Sequence, residues 1–298
     1  MEKIKLAFLG TGDAIPTKKR NHTAILLTYK NENILVDCGE GTQRQLKIAK
    51  ISPAKITRIL ITHKHGDHTF GLPGLFYTLA MNKYSKTLEV YGPKGIKSYI
   101  NQIKKLGSEL RIKMKIKEVR GKFLETPDFY IEAKPMKHKV PCNAYSFIVK
   151  DKIRLNKAKL KKLKLPHTPL LKKLQCGKDI TIKGKKIKAK HVTYLEKGKK
   201  ITFILDTSMN KNAIPLAKNS DILISEATFS SQETKRAKEY KHLTSEQAAT
   251  IAKKSKSKKL ILTHVSQRHE KDLSQIEKQA EKIFKNTTLA KDFFITEI

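Results

Sequence analysis

Thr62-His63-Lys64-His65-Gly66-Asp67-His68 carries four ligand-type side chains within six positions, directly after the apolar run Ile59-Leu60-Ile61. That run has β character, so the cluster falls where a strand gives way to a loop. His63 and His65 are two residues apart and project to the same side of an extended chain. The loop after them bends, which lets Asp67 and His68 face a second ion. Imidazole nitrogens and a carboxylate oxygen suit zinc, with a position left open for water. Ligand type alone leaves iron and manganese open. Packing offers no account of the cluster, because burying these groups unpaired is costly. Single histidines elsewhere (His22, His167, His191 and His269) read as surface or hydrogen-bonded core residues.

The elements that must position the cluster alternate between strand and helix patterns, which indicates an α/β fold. Ile4 to Leu9 is strand-like and runs into a turn at Gly10-Thr11-Gly12, and Thr23 to Tyr29 pairs with Ile34-Leu35-Val36. Helical pattern resumes at Thr42, again from Leu75 to Ala80, and from Ile96 to Leu106, where Ile96, Tyr99, Ile100, Ile103 and Leu106 form the core face. Further strands are expected at Leu88 to Tyr91, Phe129 to Ala133, Tyr145 to Val149, Ile201 to Leu205 and Leu260 to Thr263. An alanine-rich helix reaches Ala252, with Thr244 or Ser245 as its cap.

A chain of 298 residues can bury a sizeable core. Its net charge of +36, from 55 lysines, 8 arginines and 27 acids, favours a polyanionic partner through phosphate neutralisation. Residues 151–200 alone hold 18 Lys and Arg against 3 acids, between two strands, as an insertion would. Cys38, Cys142 and Cys176 are odd in number and far apart, so they read as reduced thiols. No apolar run has membrane-spanning length and no leader precedes the first strand, so a cytoplasmic protein without membrane contact is expected.

The His-x-His-x-Asp-His pattern resembles that of the metallo-β-lactamase superfamily. Its extension, Thr69-Phe70-Gly71-Leu72-Pro73-Gly74-Leu75, resembles ribonuclease Z, the family of endonucleases that trim tRNA 3′ ends. The resemblance runs through nearly the whole chain. Pro16-Thr17-Lys18-Lys19-Arg20-Asn21 is similar to the family's loop associated with the tRNA 3′ end, which makes Lys18, Arg20 and Asn21 candidate substrate-binding residues: a lysine offers a point charge and an arginine a bidentate fork. Asp37 matches an acidic motif that supports the metal ligands from behind, although a turn-forming role stays open.

What the resemblance implies is a four-layer αβ/βα sandwich as one domain, 1–298, with 151–200 as an inserted tRNA-binding arm. It also implies two zinc ions per subunit, manganese or another divalent metal being an alternative. His63, His65 and His138 would hold one, Asp67, His68 and His264 the other, and Asp206 would bridge. Leu205 stands where the family has glycine, and Ser225 where it has histidine before Glu-Ala-Thr. Glu226 and His242 would form an acid relay to the leaving oxygen, and Asp67 would accept or orient the attacking water's proton. The implied activity is two-metal hydrolysis of precursor tRNA, which removes the 3′ trailer and leaves a tRNA 3′-hydroxyl and a trailer 5′-phosphate, carried out by a homodimer. A small phosphodiester as substrate would use the same metal set without needing the basic arm.

Overall fold

The structure, a computed structural model, describes residues 2–105, 112–163, 168–182 and 184–298. Leu106, the expected last apolar position of a helix, and Leu165-Pro166-His167 lie outside the described residues. In chain order the first strands are β1 (Ile4–Gly10), β2 (Ala24–Tyr29), β3 (Glu32–Val36), β4 (Arg58–Leu60), β5 (Thr87–Gly92) and β6 (Lys113–Glu118). Then come β7 (Gly121–Glu125), β8 (Phe129–Met136), β9 (Cys142–Val149), β10 (Lys152–Leu155), β11 (Ile180–Ile182) and β12 (Lys185–Ile187). The last are β13 (Thr193–Glu196), β14 (Lys200–Ile204), β15 (Ile222–Glu226), β16 (Leu260–Thr263), β17 (Thr287–Leu289) and β18 (Ile295–Glu297).

The chain divides into two compact units, one made of Thr126–Phe129 and Ile148–Lys199, the other of Glu2–Glu125, Tyr130–Phe147 and Lys200–Ile298. The larger holds two seven-stranded sheets, ordered β18-β1-β2-β3-β4-β5-β6 and β17-β16-β15-β14-β9-β8-β7. Strands β3 to β6 are parallel, and so are β14 to β17. Parallel neighbours need crossovers. Helices supply them: Thr42–Ile48, Gly71–Met81 and Ile96–Lys105 in the first sheet, Ala213–Ala217, Ser245–Lys254 and Leu273–Glu281 in the second.

Both faces of the central strands are buried, which is why strands such as β2, β9, β15 and β16 read as nearly continuous apolar runs. On the helix side of the first sheet, Ala7, Leu9, Leu26, Leu35, Ile59 and Val90 pack against Leu46, Leu75, Phe76 and Ile100. The alternate residues Leu6, Phe8, Ile25 and Leu27 are equally buried and must face the other sheet. Tyr29 meets Phe147 edge-on at 5.7 Å, and the Tyr145 hydroxyl donates to the Ile61 carbonyl at 2.7 Å. On the far side, Ile204, Leu223, Leu260 and Leu262 pack against Leu216, Ala248 and Ala252. Four layers result, α/β and β/α, as expected.

Three elements depart from the sequence reading. The helix expected from Leu75 begins at Gly71, with Pro73 tolerated in its first turn, where its missing N–H has no helical partner to lose. β6 and β7 lack an apolar run, Lys113-Met114-Lys115-Ile116-Lys117-Glu118 being typical; they are sheet edges, and exposed lysines are what protect edges from further pairing.

In the smaller unit β10 pairs with β13 and β11 with β12, both antiparallel. Leu171, Leu174, Ile180, Ile187, Ala189 and Val192 make its own small core. Where the segment starts and ends, Val149 N–H donates to the Lys199 carbonyl at 2.8 Å and Gly198 N–H to Asp151 at 2.7 Å. Lys152 pairs with Asp128.

Candidate metal centre

Each ligand-type residue sits just beyond a strand. Asp37 follows β3, His63 to His68 follow β4, His138 follows β8, Asp206 follows β14, Glu226 closes β15 and His264 follows β16. The carboxyl ends of parallel strands thus deliver side chains from both sheets to one place, the usual location of sites in such sheets. The loop after β3 packs tightly there: a Cβ on Gly39 would stand 2.5 Å from the Asp67 carbonyl oxygen, and one on Gly71 only 2.0 Å from that of Gly39. Glycine is required at both for the backbones to approach.

Two groups of side chains converge around Asp206. His63 Nε2 and His138 Nε2 lie 3.0 and 3.2 Å from His65 Nδ1, and Asp206 Oδ2 is 3.5 Å from His63. Around Oδ1, His68 Nε2 and His264 Nε2 each stand 3.2 Å away, with Asp67 Oδ2 3.3 Å from both rings. In each group the donor atoms lie within 4.8 Å of one another.

The donor set fits divalent cations. Asp206 Oδ1 is buried, and among the described residues it makes no hydrogen bond although two imidazole nitrogens are 3.2 Å off. Such convergence without hydrogen-bond geometry suits an ion between the groups better than a proton. Burial pushes His63, His65 and His138 below the ordinary histidine range, which favours the neutral imidazole that binds metal. For His68 and His264 burial acts the same way, but Asp206 and Asp67 outweigh it and raise both. Burial would raise Asp67 and Asp206 in turn, yet the neighbouring imidazoles hold both below the usual carboxylate range. A bound cation replaces those imidazolium protons and leaves the same carboxylates ionised.

Behind the ligands a ring of hydrogen bonds fixes which nitrogen faces inward. Asp37, fully buried, accepts from Thr62 N–H and Thr62 Oγ1, both at 2.7 Å, and its Oδ2 lies 2.6 Å from His68 Nδ1. His138 Nδ1 is 3.0 Å from the Lys241 carbonyl. Thr228 Oγ1 stands 2.9 Å from His264 Nδ1 and donates to Glu226 at 2.5 Å. Asp37, Lys241 and His264 all adopt left-handed backbone, with φ of 56°, 59° and 55°. Non-glycine residues persist there only where surroundings over-determine them.

Glu226 is also fully buried; it accepts from Thr207 N–H at 2.7 Å and lies 3.0 Å from His242 Nδ1. Burial lowers His242, but Glu226 and Asp206 outweigh it and hold it up to about 9 in the metal-free protein. Its other nitrogen lies 3.8 Å from Asp206, and the ring lines a cavity of about 250 Å³ together with His65, Asp67, Asp206, His264, Thr228, Phe229, Arg236 and Tyr240.

All seven expected ligands meet here, together with Asp37, Glu226 and His242. The basic loop is divided. Asp13, Ala14 and Ile15 line the cavity, Lys18 is exposed and outside its lining, and Asn21 donates to the Glu40 carbonyl at 2.7 Å. The expectation that Arg20 faces phosphate is not met. Its guanidinium is buried and donates to Thr11 Oγ1 at 2.7 Å and the Ala290 carbonyl at 2.8 Å, because Asp292 and Glu270 lie beside it. Sequence reasoning passed over Thr62, Thr228 and the Lys241 carbonyl. Thr228 had a signal, two residues after Glu226 at a strand end, where side chains project the same way.

A family model described as Anti-Pycsar protein Apyc1 matches residues 4–288. Ribonuclease Z of Nanoarchaeum equitans is 41% identical over 269 residues, 90% of this chain and 85% of that protein. Ribonuclease Z of Listeria monocytogenes serotype 4b is 40% identical over 304 residues, 99% of each. Among solved structures, human tRNase Z, short form, superposes with a TM-score of 0.71 at 28% identity, covering 98% of both chains. The metallo-β-lactamase fold protein YhfI of Bacillus subtilis reaches 0.72 at 21% identity over the full length of both, a likeness of fold. The chain therefore belongs to the family that the Apyc1 model describes and to ribonuclease Z, as a hydrolase of the metallo-β-lactamase fold built around a divalent-metal site.

Proposed function

We propose that the protein is the endoribonuclease that removes the 3′ trailer from precursor tRNA. The observation that carries the reading is the convergence of six ligand-type side chains on a seventh, Asp206, in a chain 40% identical, end to end, to a ribonuclease Z. Zinc, two ions per subunit, is the metal we assign, with His63, His65 and His138 holding one, Asp67, His68 and His264 the other, and Asp206 shared. Bound there, the ions supply Lewis acidity that polarises the scissile phosphate and lowers the pKa of a water.

The chain's own residues do the rest. Asp67 accepts or orients the proton of the attacking water. The water oxygen bonds to phosphorus and the bond to the 3′ oxygen breaks. His242, held by Glu226, donates its proton to that departing oxygen. The products are a 3′-hydroxyl on the tRNA body and a 5′-phosphate on the trailer.

Residues 151–200 act as the RNA-binding arm in this reading, supported by their net charge of +15 and a core of their own. Lys18 and Asn21 are the candidates on the basic loop. A homodimer is part of the same proposal. Thr69 to Asn82 contains no charged residue, yet leaves Phe70, Tyr77 and Met81 at least half exposed, a face that a second equally basic copy can meet without repulsion. Among the described residues no helix is long and apolar enough to cross a membrane, and we assign the enzyme to the cytoplasm.

The test is cleavage of a tRNA carrying a 3′ trailer, with zinc or manganese, Asp67→Ala run beside the parent and both new ends mapped. One cut after the last nucleotide of the tRNA body, absent from the variant, is expected. A folded, metal-loaded parent that leaves this RNA whole and hydrolyses a small phosphodiester refutes the assignment.

A further inference from the structure

Phe229, Arg236 and Tyr240 form a stretch of the cavity wall that has no part in the chemistry above. Tyr240 ends the helix Thr234–Tyr240, two residues before His242, and 43% of its surface is exposed. Among the described residues its hydroxyl makes no hydrogen bond. Its ring lies 6.3 Å from that of Phe229, and Lys139 Nζ stands 4.6 Å from its centre. Arg236, one helical turn earlier, lines the same wall, and its guanidinium is tied only loosely to Glu233 at 3.4 Å. A partly exposed aromatic ring in the lining of a 250 Å³ cavity, with a lysine ammonium over the ring and an arginine in the same lining, offers a single unstacked nucleotide both a stacking surface and charge for its phosphates. The volume is too small for a duplex end.

We propose that Tyr240 is the stacking platform for the base of the last nucleotide retained on the tRNA body. This rests on the function proposed above. The assignment to that nucleotide rather than the first of the trailer follows from the acid: His242 gives its proton to the leaving 3′ oxygen, and that oxygen belongs to the retained nucleotide. Tyr240-Lys241-His242 is one tight turn whose centre has φ of 59°, so the ring proposed to meet the base and the acid that meets its sugar stand two residues apart on one turn. Lys139 and Arg236 flank the same nucleotide where its phosphates leave the cavity.

Kinetics with modified RNA test this directly. Base–aromatic stacking predicts that Tyr240→Leu lowers kcat/KM about 5- to 150-fold, mainly through KM, whereas Tyr240→Phe stays within about twofold. With an abasic site at the last retained nucleotide the parent drops by a similar factor and Tyr240→Leu drops no further. With the abasic site at the first trailer nucleotide, the gap between parent and Tyr240→Leu persists. Equal losses by Tyr240→Leu on natural RNA and on RNA abasic at the retained position overturn the proposal, as does a parent indifferent to that base. The parent measurement holds whatever the folding of the variant. A parent that leaves natural precursor tRNA whole instead overturns the function on which this inference rests.

Discussion

Thr228→Val is the most informative change outside the ligand set. The substitution keeps the shape and β-branching and removes one oxygen. That oxygen donates to Glu226 Oε2 at 2.5 Å and faces His264 Nδ1 at 2.9 Å, in a residue 3% exposed. Because His264 Nε2 points at Asp67 and Asp206, Nδ1 carries the proton and needs an acceptor. Valine leaves that N–H buried and unpaired and strips Glu226 of one of its donors. Loss of a hydrogen bond to a charged group, with the orphaned donor, costs about 2–4 kcal/mol of folding stability. Removing the partner that orients a ligating histidine costs about 10- to 100-fold in metal affinity. Urea unfolding in excess chelator measures the first, and competition between the protein and a chromophoric chelator the second. Thr228→Ser, which keeps the oxygen, is expected to behave as the parent in both. A Thr228→Val protein that unfolds at the parent's urea midpoint and holds metal within twofold of it refutes the account of Thr228 as the pin of His264.

His242→Ala is expected to lower kcat about 10²- to 10⁴-fold with little change in KM, since its role begins only as the 3′ oxygen departs; rapid-quench cleavage with saturating RNA reads this, and a loss confined to KM counts against an acid. In metal-free protein the same ring sets a pH slope. Burial lowers it, but Glu226 and Asp206 hold it up to about 9, above the unfolded value near 6.5. Its stabilisation is therefore complete below pH 6.5 and lost as pH rises through 9. Between pH 6.5 and 9.5 the parent should lose on the order of 3 kcal/mol more than His242→Gln in urea melts, and parallel curves for the two would contradict this. Thiol titration should find one reactive cysteine in the native protein and three in denaturant, because Cys176 is exposed while burial pushes Cys38 up to about 12 and Cys142 well above the ordinary range. Two native thiols would mean that the core around Cys38 or Cys142 opens.

What could be read from the chain alone was whatever local pattern encodes. His63, His65, Asp67 and His68 fall within six positions, and His264 repeats their strand-then-histidine arrangement, so periodicity and ligand chemistry mark them. Strands such as β2 and β16 are marked by apolar runs. Asp206 and His138 were legible only through resemblance, since nothing near them in sequence says that they meet. Arg20 looked like a phosphate ligand because its loop resembles the one the family associates with the tRNA 3′ end. What captures it is Asp292, 272 positions away, and no local pattern encodes so distant a partner. Lys241 acts through a carbonyl, which every residue has, so its part in holding His138 leaves no trace in residue type. β6 and β7 escaped notice because edge strands need no apolar run.

The basic segment begins and ends at one hydrogen bond, Val149 N–H to the Lys199 carbonyl, 2.8 Å long. Its flanking strands, β9 and β14, are neighbours in one sheet, so a hairpin turn of a few residues would close the same gap. Fifty residues thus leave and re-enter the chain through one slot, between the ends of neighbouring strands. Loop-closure entropy hardly depends on what such a slot contains, and none of the metal-binding side chains lies inside it. Lineages could lengthen, shorten or exchange this piece while inheriting the hydrolytic centre unchanged.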